Sequence, residues 1–136
     1  MHKDIDLYPK VCNLCGGEVE FVPTGKVYGT YYLRFGGSGF CYHCKECGAI
    51  VTTHKNDPKK AKGILANKEM AIMRQKTHAL FDKFWRNKTE RGIMYKKLAD
   101  ELGIEESDCH FGYMNLDELN KAHEILLKWW REKYDI

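Results

Sequence analysis

Hydrophobic and polar positions change their rhythm about halfway along the chain. Ile5 to Val11 reads as a short lead-in strand, and Glu18-Val19-Glu20-Phe21-Val22 alternates polar with apolar, as a half-buried strand does. Pro23-Thr24-Gly25 predicts a turn. Lys26 to Phe35 is rich enough in aromatic and β-branched residues for a second strand, with Gly29 as a bulge. Gly36-Gly37-Ser38-Gly39 predicts a flexible turn, Phe40 to His43 a third strand, and Ala49 to Thr53 a final one. His54 to Lys60 is polar and predicts a connector.

Beyond it the period becomes helical. Met70, Met73, Thr77, Leu80, Phe81 and Phe84 recur at i, i+3, i+4 and i+7, so a helix is expected from Lys68 to about Asn87 behind an Asn67 cap. Thr89 is expected to cap a second helix, with Met94, Leu98 and Leu102 on its inner face and Gly103 as its stop. Asn115-Leu116-Asp117-Glu118 spells a capping box for a third helix with Leu119, Ala122, Leu126 and Trp129 as its seam. The expected fold is α+β: a small antiparallel ribbon in residues 1–56, which the cysteines Cys12, Cys15, Cys44 and Cys47 at Cys-x-x-Cys spacing mark as a zinc ribbon, followed by a three-helix lobe in 57–136, the two packed as one compact unit.

Cysteine placement turns this outline into chemistry. Cys12-Asn13-Leu14-Cys15-Gly16 and Cys44-Lys45-Glu46-Cys47-Gly48 are two Cys-x-x-Cys-Gly turns, with 28 residues between Cys15 and Cys44. The two-residue spacing lets both sulfurs of a turn reach one side, where they fill two corners of a zinc tetrahedron. The glycine accommodates positive φ. Cys41/Cys44 is a competing pair, but only Cys44/Cys47 repeats the trailing glycine. The N-terminus carries no apolar signal, so a reduced cytosolic setting is expected and metal is preferred over disulfides. One structural Zn²⁺ on Cys12, Cys15, Cys44 and Cys47 is the outcome. Cys41 and Cys109 are left as small buried side chains. A ribbon of this size cannot bury a sufficient core alone, so the metal contributes to its folding.

Charge adds a second theme. The net charge of +3 divides into +1 over residues 1–55, +6 over 56–91 and −4 over 92–136. No apolar run reaches membrane-spanning length. Lys26, Tyr28, Tyr31 and Arg34 on the hairpin, with Lys55, Lys59, Lys60 and Lys62 after it, could stack bases and follow phosphates. The competing account buries the aromatics and leaves the lysines as solvated surface. His54, His78, Asp82 and His110 are candidates for a second metal site or a general acid–base pair, against the simpler account that Asp82 accepts from histidines that pin loops. Trp129, Trp130 and Tyr134 offer an alternative surface for a protein partner.

The order of several short motifs resembles the zinc-finger-containing domain family of phage and prophage genomes. The likeness covers roughly residues 11–130. Its first half rests on Cys12-x-x-Cys15-Gly16, Val27-Tyr28-Gly29 and Cys44-x-x-Cys47-x-Ala49-x-Val51-x-x-His54. Its second half rests on Arg74-x-x-x-His78-x-x-Phe81-Asp82-x-x-Trp85, Tyr95-x-x-Leu98-Ala99, Leu102-Gly103-Ile104 and His110-Phe111-Gly112-Tyr113-Met114-Asn115. Two positions depart from it: Asn13 stands where relatives commonly carry proline, and Asn115 where they carry an aspartate. The resemblance implies a phage-encoded binding module in a bacterial cytoplasm, defined by its zinc site rather than by an activity. Nucleic acid is the first expected partner, with low sequence preference. A host enzyme or defence component is the second, and hydrolysis at the His/Asp cluster is the third reading.

Overall fold

The structure, a computed structural model, describes residues 5–28 and 38–135. It divides into two compact units, one from Ile5 to Lys68 and one from Glu69 onward.

The first unit is a four-stranded antiparallel sheet in sequential order, β1 (Val19–Pro23), β2 (Phe40–Cys44), β3 (Ile50–His54) and β4 (Asp57–Ala61). Val19 pairs with Cys44 and Phe21 with Tyr42, while Tyr42 also lies opposite Val51. Residues sharing a face alternate along each strand. Cys12, Tyr42, Cys44, Ala49, Val51, Ala61 and Leu65 are thereby gathered into one small core, with Leu7 and Val19 against it.

Three expectations for this unit change. Residues Ile5 to Val11 form no strand; Val11 makes a single bridge to Glu18, and the Leu7 carbonyl accepts from Ala61 N–H at 2.8 Å. Thr24–Tyr28 is a helical turn, α1, rather than a turn leading into a strand, and the remainder of that expected strand lies outside the described residues. Its start is tied down by Thr24 N–H, which donates to the Gly39 carbonyl at 2.8 Å. Finally, the polar connector is itself a strand. β4 reads Asp-Pro-Lys-Lys-Ala, which no hydrophobic alternation reveals, because it is an edge strand. Proline lacks a ladder donor and lysine discourages further pairing, so both belong at an edge.

The second unit holds α2 (Lys68–Phe81), α3 (Lys88–Leu102) and α4 (Leu116–Tyr134). Met70, Thr77 and Phe81 of α2 are buried as the spacing requires. The helix stops sooner than expected, in a 3-10 turn at Asp82–Phe84, where the Trp85 backbone turns extended. Asn87, not Thr89, caps α3: its Oδ1 accepts from Glu90 N–H at 2.9 Å. Gly103 ends that helix at φ 72°. Asn115 and Glu118 close the expected capping box, with bonds of 2.9 and 3.1 Å. Leu119, Ala122, Leu126 and Trp129 are the buried seam of α4.

Candidate metal centre

Each cysteine turn is built by the same backbone bonds. Cys12 N–H donates to Gly17 O at 2.9 Å, and Gly16 N–H returns to Cys12 O at 2.9 Å. In the second turn Cys44 N–H donates to Ala49 O at 2.8 Å, and Gly48 N–H returns to Cys44 O at 3.1 Å. Gly16 and Gly48 take φ of 76° and 81°, the left-handed geometry that the sequence reserves for glycine. Lys45 N–H donates to Glu18 O at 3.0 Å and ties the two turns together.

Facing each other, the turns bring four sulfurs into one cluster. All four Sγ atoms lie within 4.8 Å of one another. Across the turns, Cys12 and Cys47 stand 3.7 Å apart and Cys15 and Cys44 3.5 Å apart. A disulfide would bring two sulfurs to about 2.05 Å. A tetrahedron of thiolates with Zn–S near 2.3 Å spaces its corners at about 3.8 Å. The observed spacing matches the tetrahedron. Backbone N–H groups complete the environment: Leu14 donates to Cys12 Sγ, Gly17 to Cys15 Sγ and Cys47 to Cys44 Sγ, at 3.3, 3.3 and 3.4 Å.

The local hydrogen bonding differs from one thiol of the cluster to the next. Hydrogen bonds from the backbone of Cys47 and of Glu46 draw the Cys44 thiol down to about 6. Cys15 moves the other way, to about 12: Gly17 N–H favours its thiolate, but the Cys44 and Cys47 sulfurs hold its proton in place. Metal binding takes cysteines as thiolates and so releases their protons. One structural zinc sits on Cys12, Cys15, Cys44 and Cys47. Four thiolates fill its coordination shell, so its chemistry here is to fix the fold. Cys12 and Cys44 are buried in the sheet core, while Cys15 and Cys47 face solvent.

Cys41 takes no part. It is fully buried, and burial pushes its thiol up to about 11, the Thr24 hydroxyl opposing the shift. His43, beside it, bonds Glu20 across the β1–β2 ladder at 3.1 Å. Cys109 is also buried.

The histidine candidates are distributed. His54 ends β3 in the first unit. In the helical unit His78 Nδ1 bonds Asp82 Oδ2 at 2.9 Å, and Trp85 Nε1 donates to Asp82 Oδ1 at 3.0 Å. The His78 ring stands edge-on to Phe111, while His110 leans on Tyr113 and Tyr95. Among the described residues, only the four cysteines bring three or more candidate ligand atoms into one cluster.

Of the residues considered for nucleic acid, Lys26 lies on α1 and bonds Glu20 at 3.3 Å. Tyr28 ends α1; Tyr31 and Arg34 lie outside the described residues. Lys55 is in the two-residue hairpin between β3 and β4, Lys59 and Lys60 are on β4, and Lys62 follows it. Phe21, which sequence reasoning treated only as a strand residue, stacks on Phe40 with centroids 5.3 Å apart and planes 11° apart. Both rings are more than a third exposed, at 39% and 37%. The signal lay in register alone, because Phe21 and Phe40 sit diagonally across the β1–β2 ladder.

A family model described as a zinc-finger-containing domain matches residues 8–129. No curated protein and no solved structure matches the chain. Among the described residues no helix is long and apolar enough to cross a membrane.

Proposed function

This chain belongs to the family of zinc-finger-containing domains, and from that premise we propose that its ribbon binds single-stranded nucleic acid with little sequence preference. The observation that carries this reading is the exposed Phe21–Phe40 stack on the sheet face that also holds Tyr42. Every base has a face that can stack on an aromatic ring, so such a platform tolerates any sequence. Lys59 is exposed on β4, the edge strand of the same sheet. The ammonium groups of Lys55, Lys59, Lys60 and Lys62 have no carboxylate partner among the described residues. They are free to meet phosphates. The zinc holds the sheet that presents both features. The resemblance to phage and prophage proteins makes a bacterial cytoplasm the expected setting.

Fluorescence anisotropy of a labelled single-stranded oligonucleotide, titrated with zinc-loaded protein across a salt series, tests the reading. Each phosphate contact contributes about 0.7 to the slope of log K against log[salt]. Lys59→Gln should lower that slope by one contact. Phe21→Ala or Phe40→Ala should cost about 1–3 kcal/mol for each base no longer stacked. Absent or salt-independent binding overturns the proposal and leaves the lysines as guards of an open sheet edge.

A further inference from the structure

The helical unit carries a hollow of about 430 Å³ lined by Phe84, Met94, Lys97, Trp129, Glu132 and Lys133. Its floor is made by aromatic rings. The Phe84 ring meets Trp129 edge-on at 5.6 Å and Trp130 edge-on at 6.1 Å. Trp129 is anchored by its indole N–H, which donates to Glu101. The rim carries Lys97, Lys133 and Glu132: Lys97 Nζ sits 4.5 Å above the Trp129 ring and Lys133 Nζ 5.8 Å from Phe84, while Lys83 Nζ stands 5.1 Å from the neighbouring Trp130.

These three ammonium groups rest on ring faces and pair with no carboxylate among the described residues. A ring quadrupole attracts a cation only modestly at an exposed site, whereas a phosphate offers full charge and hydrogen-bond acceptors. The volume lies in the range of small-molecule sites. Two lysines against one glutamate leave the rim net positive, so the apolar floor beneath it fits a ligand with one aromatic and one anionic end.

We infer that this hollow binds a nucleotide, with its base on the aromatic floor and its phosphate between Lys97 and Lys133. The site is separate from the ribbon face, and it stands whether or not that face binds a strand. A nucleotide reaches it either free or as part of a single strand.

The test uses the full zinc-loaded chain, with NMR of the indole N–H groups of its three tryptophans as the readout. Adenosine 5′-monophosphate should shift the Trp129 and Trp130 signals to saturation and leave Trp85 in place. Adenosine and inorganic phosphate, each lacking one end, should bind about tenfold more weakly or less. Lys97→Gln with Lys133→Gln should weaken the monophosphate about tenfold, with melting temperature and zinc content unchanged. If an unlabelled oligonucleotide competes with the monophosphate, the natural source is a strand; without competition it is the free nucleotide. Unmoved indole signals, or equal affinity in the double variant, overturn the inference.

Discussion

Asn13 and Leu65 are joined by two hydrogen bonds. The Asn13 amide donates to the Leu65 carbonyl at 3.1 Å and accepts from Leu65 N–H at 2.9 Å. A side-chain amide thus imitates a strand partner. It fastens the first cysteine turn to the segment that follows β4, whose Leu65 side chain is in the core. A proline side chain at this position could make neither bond. Asn13→Ala leaves the backbone N–H and C=O of Leu65 without these partners, at roughly 1–3 kcal/mol. The expected result is a lower melting temperature with one zinc still bound, read by thermal unfolding and a colorimetric zinc assay. Zinc lost along with the clamp would show that Asn13 shapes the metal site itself.

The cysteines should separate cleanly into two groups. Cys12→Ser and Cys47→Ser each remove a thiolate, and the sheet of Ile5–Lys68 should lose zinc and its ordered NMR signals. Cys41→Ser should keep one zinc per chain, because its sulfur is buried beside Thr24 and outside the cluster. Strong chelation of the unsubstituted protein should reproduce the Cys12→Ser spectrum. Loss of zinc in Cys41→Ser would reassign the second turn.

Gly17 is needed for space. A methyl group there would lie 3.1 Å from Cys44 Sγ and 3.0 Å from Glu46 Cβ. The Glu46 carboxylate can swing aside, but the sulfur is fixed by the metal. Gly17→Ala should therefore weaken zinc retention in competition with a chelator, while Gly92→Ala, on α3 with open space around it, should not. Equal retention in both would mean that the turn relaxes without strain.

His110 gives the helical unit a dependence on pH. Burial first, and then the charge of Arg91, lower its pKa below the ordinary 6.5, with Asp108 opposing. The fold holds the imidazole neutral while the unfolded chain protonates it more readily. The stability from this residue is present above 6.5 and is lost as pH falls through 6.5 toward the lower folded value. NMR titration should place the His110 midpoint below 6.5. A midpoint above it would reverse the sign and make acid stabilising at this position.

The His78–Asp82 pair should matter little to stability. Both side chains are substantially exposed, and an i, i+4 pair of this kind contributes well under about 1 kcal/mol. His78→Ala should melt within a few degrees of the parent and retain one zinc per chain. A fall in metal content would point to a ligand role for this histidine.

Asn115 illustrates how a departure from a resembled pattern can be chemically neutral. Its side chain caps α4 by accepting from Glu118 N–H, a task aspartate performs equally well. The same Asn-x-x-Glu spacing recurs at Asn87 and Glu90, where it opens α3. Asn87 and Glu90 therefore spell the same local cap as Asn115 and Glu118, and Thr89 lies inside α3.

What the residues determined unaided were features closed within a few positions of chain. The two Cys-x-x-Cys-Gly turns, the Asn115 capping box, the Gly103 stop and the α4 seam all depend on bonds between near neighbours, so local spacing specifies them. Tertiary structure decided the rest. β4 exists because β3 offers it a ladder, the Phe21–Phe40 stack because two strands meet in one register, and the Asn13–Leu65 clamp because the sheet brings residues 13 and 65 together. Such partners are distant along the chain and are chosen by where the backbone is folded. No local pattern of polar and apolar residues carries that information.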